Sequence, residues 1–272
     1  MGASDLYALK KFFDWIISVL AVIGIILAGG YGTRLYPLTK NVAKPLLKIR
    51  GKPIIDYIVE KLLELDLDKI LVTVNERFKD QFLEWLEGRN YRGVELKVEP
   101  SLAEGEKLGA IGGLSRLLDE VEGDCVVVAG DNIFASSLKG FKEFYLGKRA
   151  PVVGLHDVGD LARVRQFSMA EIDRDGRIIR FVEKPENPSS TLIGIGIYML
   201  PERSLRRVDE YLEEGNNPDN PGFFIQWLYT REPVYGYILK GWWWDIGTLE
   251  AYYEAKKFLE ESGNPSKQPQ ER

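Results

Sequence analysis

The sequence predicts an α/β protein with a mainly parallel sheet, and two observations support this. Apolar runs of strand length alternate with segments of helical periodicity through about the first 150 residues. Strands that are separated by helices of this length form right-handed crossovers and lie parallel. After about residue 150 the strand-like runs follow one another more closely, which indicates an added, partly antiparallel lobe on the same sheet.

The first half contains four predicted strands with helical segments between them. The strands are expected at residues 23–28, 69–75, 94–99 and 124–130, and the helices at residues 53–65, 78–88, 108–121 and 138–147. A short strand and a turn at Gly51 come before the first helix. Pro53 suits the first turn of that helix. Gly88 is expected to end the second helix.

The second half is rich in strands. Strand-like runs lie in residues 150–158, 166–185 and 190–200, and the Asp-Arg-Asp-Gly segment at 173–176 predicts a hairpin turn. Residues 213–222 are interpreted as a loop, and residues 241–262 as a strand end, a turn and a last helix. We find no internal repeat and no long linker, so the two halves are expected to share one core.

Composition and charge limit the function. The 272 residues carry a net charge of −5, which argues against a general nucleic-acid binder. Cys125 is the only cysteine and cannot form an internal disulfide, so a cytoplasmic location is expected. We expect Cys125 to pack in a buried strand and His156, the only histidine, to lie at a strand end. A single histidine argues against His-based zinc sites and against a Ser-His-Asp triad.

The N-terminal segment contains two lysines followed by an apolar stretch, as a signal peptide does. We reject that interpretation because Asp14 interrupts the stretch and its end coincides with the first strand. The uninterrupted part is also too short for a spanning helix. Residues 1–21 are therefore an extension, either an amphipathic helix that packs on the body, a partner or a membrane surface, or an artefact of the start site.

The domain organisation follows from these boundaries. One domain is predicted at residues 22–262, with a first half at about 22–149 and a second half at about 150–247. Residues 263–272 are predicted to form a flexible polar tail. A membrane partner is not expected, and association into a homo-oligomer is left open.

The first strand ends in the sequence Ala-Gly-Gly-Tyr-Gly-Thr-Arg at residues 28–34. Ligands of parallel sheets bind at the carboxyl ends of the strands, and free backbone N–H groups there can hold a phosphate. Arg34 adds a permanent charge, and Lys44 is expected to fold back beside it because Pro45 favours an extended backbone. The segment fits neither a Walker loop nor a dinucleotide fingerprint, and a plain glycine turn is the alternative.

Two aspartates follow apolar stretches. Asp131 ends the strand at 124–130, and Asp245 lies in Gly-Trp-Trp-Trp-Asp. Mg²⁺ takes oxygen ligands, usually one or two carboxylates together with phosphate oxygens and waters. Asp131 and Asp245 are therefore candidate metal ligands. The alternative for each is an aspartate that caps a helix or a turn.

Lys184 is a third basic candidate, since it follows a strand and precedes a proline as Lys44 does. It could hold a second phosphorylated substrate. Glu183 beside it could accept hydrogen bonds from hydroxyl groups.

Four of these segments occur together in a known family. The segments at residues 26–62, 128–134, 177–188 and 243–248 resemble, in this order, the motifs of the sugar-1-phosphate nucleotidyltransferases. The chain is most similar to glucose-1-phosphate thymidylyltransferases and their short relatives, over about residues 22–260. The resemblance implies a Rossmann-like, three-layer αβα fold and transfer of a nucleotidyl group from an NTP to a sugar-1-phosphate, with release of pyrophosphate. It favours dTTP or UTP and glucose-1-phosphate as substrates.

The resemblance also implies roles for particular residues. Arg34 and Lys44 would act on the triphosphate, and Asp131 and Asp245 would hold Mg²⁺. The sugar phosphate would contact Glu183, Lys184, Gly196 and Tyr198. The nucleotide site would be formed by Leu27, Gly29, Gly30, Gly32, Thr33, Gly109 and Asn132.

Three departures from the family pattern leave the substrates open. The segment at 100–114 lacks the Gln-Pro start and the Leu-Ala-Gln of typical thymidylyltransferases. Ser168 stands where the family has a glycine, and Gly194 replaces an asparagine that contacts the sugar. A guanylyl- or cytidylyltransferase acting on another sugar-1-phosphate is therefore an alternative.

A noncatalytic binding protein and a glycosyltransferase are the alternatives from other functional classes. A noncatalytic homologue that binds nucleotide sugars should lack Arg34, Lys44 or the aspartates, and all are present. A glycosyltransferase of related fold would normally carry an Asp-x-Asp motif, which Asp131-Asn132-Ile133 is not.

Overall fold

The computed structural model describes residues 22–261. The predicted N-terminal extension at 1–21 and the predicted tail at 263–272 lie outside the described residues.

The strands of the described residues are β1 (Val22–Leu27), β2 (Lys48–Ile49), β3 (Lys52–Pro53), β4 (Ile70–Asn75), β5 (Val94–Glu99), β6 (Asp124–Ala129), β7 (Asn132–Phe134), β8 (Val152–Asp157), β9 (Ser168–Ile172), β10 (Ile178–Glu183), β11 (Leu192–Leu200), β12 (Tyr235–Ile238) and β13 (Trp243–Asp245). Nine of them form a central sheet with the order β10-β9-β11-β6-β1-β4-β5, in which β8 pairs with β11 and β12 pairs with β8. Two short ladders, β7 with β13 and β2 with β3, lie outside this sheet.

Helices cover both faces of this sheet. They are α1 (Ile54–Leu63), α2 (Lys79–Glu87), α3 (Ala110–Ser115), α4 (Lys139–Lys148), α5 (Leu161–Val164), α6 (Glu202–Leu205), α7 (Arg207–Glu213), α8 (Pro221–Leu228) and α9 (Leu249–Glu261). Apolar residues of α1, α2 and α4 pack in one core cluster, and those of α3, α7 and α8 pack in another. Adjacent residues of β1 point into opposite clusters, since Ile25 belongs to one and Ile26 to the other. The three-layer α/β fold with a mixed sheet is therefore confirmed.

Strand β11 joins the two halves of the chain. Its residues 197–200 pair antiparallel with β6, while Ile193 and Gly194 pair antiparallel with β9. The strands of the first half are parallel, because β1 pairs in parallel with β4 and β6, and β4 pairs in parallel with β5. The parallel set thus presents its carboxyl ends at one edge, and the antiparallel strands extend the same sheet beside it.

The predicted strands of the first half and the hairpin at 173–176 are present, but several helical segments differ from the prediction. The helix expected at 108–121 ends at Ser115, and a separate 3₁₀ turn covers residues 118–120. Gly112 and Gly113 weaken the helix, and two acidic residues near its expected end oppose the helix dipole. Helices α5, α6 and α7 were not predicted.

The loop predicted at 213–222 ends two residues earlier than expected. Pro221 is the first residue of α8, and the Asn220 side chain accepts a hydrogen bond from the Gly222 N–H as the N-cap. An asparagine followed by a proline is a recognised helix start, so this signal was present in the sequence and was not used.

A third cluster packs α9 against the ladder of β7 and β13. Ile133, Ile246 and Tyr252 are buried in it, and the Tyr252 hydroxyl donates to the Lys48 carbonyl at 2.8 Å. The last helix therefore holds the ladder that carries the predicted aspartates. Within residues 22–261, no helix has both the length and the apolar character needed to cross a membrane.

We expect Ile25→Ala and Ile26→Ala to destabilise the protein to a similar extent, because both side chains are fully buried on opposite faces of the sheet. Each should lower the free energy of unfolding by about 2–5 kcal/mol in urea denaturation. Ile179→Ala is the control, since that side chain is 58% exposed, and its effect should stay within about 0.5 kcal/mol. A large effect from only one of the two buried positions would contradict a sheet covered on both faces.

Candidate active site

A cleft of about 360 Å³ opens at the carboxyl ends of the parallel strands and continues onto the second half of the chain. All predicted site residues except Gly32 and Thr33 line it. Those residues are Leu27, Gly29, Gly30, Arg34, Lys44, Gly109, Asp131, Asn132, Glu183, Lys184, Gly196, Tyr198 and Asp245. The fold therefore brings groups that are up to 218 positions apart, from Leu27 to Asp245, to one cleft.

The glycine loop, residues 29–34, leaves its backbone N–H groups available. None of them donates to an acceptor between residues 22 and 261. The carbonyls of the loop are held instead, since the Asn75 amide donates to Gly29 O at 3.2 Å and the Thr39 hydroxyl donates to Gly32 O at 2.7 Å. Free N–H groups beside a basic side chain are suited to a phosphate chain.

Gly32 and Thr33 belong to the glycine loop, but neither residue lines the cleft. Gly32 has a φ of 63°, which is strained for other residues, and a Cβ there would come within 3.0 Å of the Lys44 Cβ. Thr33 begins the 3₁₀ turn Thr33–Leu35 that carries Arg34. Their place indicates a role in the turn rather than in the wall of the cleft.

Lys44 forms an ion pair with Asp131, with 2.5 Å between Lys44 Nζ and Asp131 Oδ2. Their side chains are 13% and 23% exposed, so the contact is shielded from bulk water. The Asp131 carbonyl accepts from the Ile246 N–H at 2.9 Å. The loop after β1 is thus tied to the end of β6, and the end of β6 is tied to the segment that carries Asp245.

The acidic pair, Asp131 and Asp245, is assembled by the ladder of β7 and β13. Asp245 lies opposite Asn132 in that ladder, and the Trp243 indole N–H donates to the Asn132 side chain at 2.8 Å. Burial, and then the negative charge of Asp131, raise the pKa of Asp245, while Lys44 and Arg34 act in the opposite direction. A further positive charge close to Asp131 and Asp245 would therefore favour the ionised form of both carboxyl groups.

The acidic pair fits Mg²⁺ by the chemistry of its donors. It offers two carboxylates and no imidazole or thiolate, which favours a hard cation. Within residues 22–261 no group of three or more histidine, cysteine or acidic side chains could hold a metal alone. A cation at the pair would therefore need phosphate oxygens or water as further ligands, which is the usual way in which proteins bind Mg²⁺.

Glu183 is held rigidly on the other side of the cleft. It is 7% exposed, and its carboxylate accepts hydrogen bonds from the Ser168 hydroxyl and, at 2.5 Å, from the Asn220 amide. Its backbone N–H donates to the Gln226 side chain at 2.7 Å. Gly222 permits this arrangement, because a Cβ there would lie 2.0 Å from Glu183 Oε2.

Sequence reasoning did not identify Ser168 or Asn220 as partners of Glu183. From the sequence, Ser168 is only a departure from the family glycine, and Asn220 is only a loop residue. The carboxylate of Glu183 keeps unused acceptor sites after these two bonds, so it can still accept from a hydroxyl group in the cleft.

Lys184 is exposed and has a φ of 49°, an uncommon conformation for a residue other than glycine. Its N–H donates to the Phe167 carbonyl at 3.0 Å, which holds the strained position. Such strain concentrates at functional sites. Gly196 also has a positive φ, of 69°, and Tyr198 is buried on the same strand. Burial raises the pKa of the Tyr198 hydroxyl, so this group is neutral.

Residues 214–220, the bridging loop, connect the two sides of the cleft. The Pro218 carbonyl accepts from the Ile111 N–H at 2.8 Å, and Asp219 lies 3.5 Å from Lys107 Nζ. Gly109 has a φ of 79° and allows this approach, since a Cβ there would lie 2.4 Å from the Pro218 carbonyl oxygen. Through Asn220, the same loop reaches Glu183.

Glu99 was also missed. It is the last residue of β5, lines the cleft, and is 7% exposed. Burial raises the pKa of Glu99 to about 7, and Arg116 opposes the shift. The rule that drew attention to Asp131, a polar residue at the carboxyl end of a parallel strand, applies equally to Glu99 and would have found it.

The chain belongs to the nucleotidyl transferase family, whose model matches residues 23–262. Its relatives include the bifunctional protein GlmU of Methanocaldococcus jannaschii, 31% identical over 86% of this chain and 53% of the relative. A glucose-1-phosphate adenylyltransferase of Rhodopirellula baltica is 30% identical over 86% of this chain and 59% of the relative. The chain thus spans between half and three fifths of the length of these relatives, and the resemblance to sugar-1-phosphate nucleotidyltransferases is confirmed.

Two solved structures share the fold of this chain. A protein assigned as a glucose-1-phosphate thymidylyltransferase of Bacillus anthracis, in complex with sucrose, has a TM-score of 0.77 and 27% identity and covers 88% of this chain and 95% of its own. A UDP-glucose pyrophosphorylase complexed with UDP-glucose shares the fold, with a TM-score of 0.75, 22% identity, and coverage of 89% and 99%. These relatives and structural neighbours are named for different reactions. The comparisons therefore show the family and leave the base of the NTP and the sugar of the sugar-1-phosphate undecided.

We expect Glu99→Gln to change how stability depends on pH. Because the folded-state pKa of Glu99 is raised to about 7, the folded protein binds the proton more tightly than the unfolded chain does. The stability that protonation provides should be lost as the pH rises from about 4.5 to 7. The difference in free energy of unfolding between wild type and variant should change by about 1–3 kcal/mol over this range. Urea denaturation at several pH values measures it, and a constant difference would contradict the burial of this carboxyl.

Proposed function

We propose that the protein transfers a nucleotidyl group from an NTP to a sugar-1-phosphate, giving an NDP-sugar and pyrophosphate. The observation that carries the proposal is the assembly of two charged sets in one cleft. Arg34, Lys44 and the acidic pair lie beside the glycine loop, and Glu183 and Lys184 face them from the second half. A site for two phosphorylated substrates needs both sets.

The reaction is a displacement at phosphorus. An oxygen of the sugar phosphate attacks the α-phosphorus of the NTP, a new P–O bond forms, and the bond to the β-phosphate oxygen breaks as pyrophosphate leaves. Catalysis of this kind depends mainly on positioning and on neutralising charge. No side chain has to form a covalent intermediate, and the cleft contains neither Cys125 nor His156.

The basic residues reduce the repulsion between the two anions. Arg34 and the N–H groups of the glycine loop bind the triphosphate, and Lys184 binds the phosphate of the sugar. Glu183 accepts hydrogen bonds from sugar hydroxyls in the orientation that Ser168 and Asn220 impose. Lys44 moves between partners, since its contact with Asp131 can be exchanged for a phosphate oxygen once the substrate is bound.

Asp131 and Asp245 would hold Mg²⁺, which supplies charge neutralisation at the phosphate oxygens. Burial, and then the negative charge of Asp131, raise the pKa of Asp245, and a bound cation would favour the ionised form of this carboxyl. Asn132 follows Asp131 in the chain and lies opposite Asp245 in the ladder, and its side chain accepts a hydrogen bond from the Trp243 indole N–H. It positions the end of β6 against the nucleotide.

The resemblance favours dTTP or UTP as the donor and glucose-1-phosphate as the acceptor. The structural neighbours, a protein assigned as a glucose-1-phosphate thymidylyltransferase and a UDP-glucose pyrophosphorylase, suggest these as the first pairs to test. The relatives named as adenylyltransferases and GlmU require a wider set of NTPs and sugar-1-phosphates.

The direct experiment measures pyrophosphate release from a panel of NTPs and sugar-1-phosphates in the presence of Mg²⁺. We expect release from at least one pair, and none when either substrate is omitted. Nucleotide binding without release from any pair would instead support a noncatalytic, nucleotide-sugar-binding homologue.

Asp131→Asn should lower kcat by about 100-fold or more, because it removes a charge that the site uses to hold the metal and to position Lys44. The Mg²⁺ concentration that gives half-maximal activity should rise. Asp175→Asn, in the exposed hairpin turn, is the matched control and should behave as wild type. Unchanged turnover and Mg²⁺ dependence in the Asp131 variant would show that the metal assignment is wrong.

Lys184→Ala should raise the KM for the sugar-1-phosphate by about tenfold or more, since a charge-assisted contact with the phosphate is lost. The KM for the NTP should stay within about twofold. Lys256→Ala, which removes a surface lysine of α9, is the control for a general loss of positive charge. An effect confined to the KM of the NTP would refute the proposed role of Lys184.

A further inference from the structure

The bridging loop is exposed at its centre but firmly held at its start. The Tyr211 hydroxyl donates to the Asn217 carbonyl at 2.7 Å, and the Trp227 indole N–H donates to the Glu214 carboxylate at 2.6 Å. Tyr211 and Trp227 are buried in the cluster that α3, α7 and α8 share. The loop therefore leaves this cluster from a fixed position.

The end of the loop contacts both sides of the cleft. On one side, the Pro218 carbonyl accepts from the Ile111 N–H, near the start of α3, at 2.8 Å. On the other side, the Asn220 amide donates to the Glu183 carboxylate at 2.5 Å. Only Asp219 separates the two contacts along the chain, and the proline ring restricts the backbone at residue 218. The two sides therefore cannot move apart without loss of one of these contacts.

The sheet connects the same two sides only over a long path. The segment that contains Ile111 follows β5, and Glu183 ends β10. β5 and β10 stand at opposite ends of the strand order, with five strands between them. Neighbouring strands are rotated by about 20–25° relative to each other, so small changes in twist add up along such a path. The bridging loop makes a direct connection instead, on the face of the sheet that α3 and α8 cover.

We propose that the bridging loop is a positioning element, which holds the nucleotide site and the sugar-phosphate site at the separation that in-line attack requires. This inference rests on the proposed function, in which two substrates on opposite sides of the cleft react directly. The reacting atoms must come within about 3–3.5 Å, and a displacement of about 1 Å can lower the rate about 100-fold. Each substrate still binds its own side when the sides are displaced, so the loss falls on the chemical step.

Asn220 has two other roles that the experiment must separate from this one. Its side chain caps α8 by accepting from the Gly222 N–H, and its amide orients Glu183. Pro218 has neither role, because it is exposed and does not line the cleft. At Pro218 the connection can therefore be loosened without a change in the groups that bind either substrate.

The test measures pyrophosphate formation in a single turnover by the full chain, for the substrate pair that the panel identifies. Pro218→Gly keeps the carbonyl group and frees the backbone. The single-turnover rate at saturation should fall about tenfold or more, while the KM for each substrate stays within about threefold. Pro218→Ala should retain more of the rate, since the alanine backbone is less free than that of glycine.

Pro233→Gly is the matched control, because Pro233 is an exposed loop proline that does not line the cleft. It should react as wild type does, and thermal unfolding verifies that both glycine variants are folded. An unchanged rate in Pro218→Gly would overturn the inference. So would an equal loss in Pro233→Gly, or a loss that is confined to the KM values.

A second position tests whether the two contacts act as one connection. Serine also caps helices, so Asn220→Ser keeps the start of α8 and removes the amide that reaches Glu183. Its single-turnover rate should fall as well. Pro218→Gly combined with Asn220→Ser should be at most about twofold slower than the slower single variant, because a broken connection has no second effect. Losses that multiply would contradict a single connection.

These outcomes separate the inference from the function on which it rests. If the inference alone is wrong, wild type and Pro218→Gly release pyrophosphate at the same rate. If the proposed function is wrong, wild type releases none with any pair, and the inference is overturned with it.

Discussion

The parallel pairing of β1 with β6 is the constraint on which the site depends. In that ladder Leu27 lies beside Ala129, so both strands end at the same level of the sheet. The glycine loop and the segment that contains Asp131 then begin next to each other. Gly130 allows this closeness, since a Cβ there would lie 2.8 Å from the Leu27 carbonyl oxygen. The contact of Lys44 with Asp131, across 87 positions, follows from this register.

The charges at this edge are arranged for a substrate rather than for stability. Asp131 and Asp245 repel each other, and burial makes the charge of Asp245 more costly. Burial raises the pKa of Glu99 to about 7, and Lys184 keeps a strained backbone. Burial of a carboxyl group and a positive φ at a lysine each cost free energy, and in the proposed function a bound nucleotide or sugar phosphate would offset that cost. Such local conflicts are typical of functional sites.

The sequence predicted the strand ends and, through them, most of the residues that line the cleft. Arg34 and Asp131 could be proposed because each follows an apolar strand of the parallel set, at the end where such strands present ligand-binding groups. Lys44 could be proposed from Pro45, which favours an extended backbone, and Asp245 from the apolar stretch before it. Their roles remain predictions, but their gathering in one cleft is observed. The pairing of Lys44 with Asp131 could not be predicted, because a flexible lysine has many partners within reach and only the sheet register selects one.

The parts that the sequence did not predict depend on contacts between distant segments. Ser168 and Asn220 are ordinary strand and loop residues until the bridging loop brings them to Glu183. The helix expected at 108–121 is shortened by Gly112 and Gly113, whose small size instead serves close packing, since a Cβ on Gly113 would meet Glu99. Local propensity could not reveal that these glycines are needed for the cleft.

The central claim is that the cleft holds two phosphorylated substrates for direct, in-line displacement, and the stereochemical course of the reaction tests it most directly. An NTP with a chiral sulfur-substituted α-phosphate, of whichever base the protein uses, would be converted with the matching sugar-1-phosphate. Phosphorus NMR of the NDP-sugar product then reports its configuration. The account predicts inversion at the α-phosphorus, as one in-line attack requires. Retention would show two successive displacements through a covalent enzyme intermediate and would contradict the account.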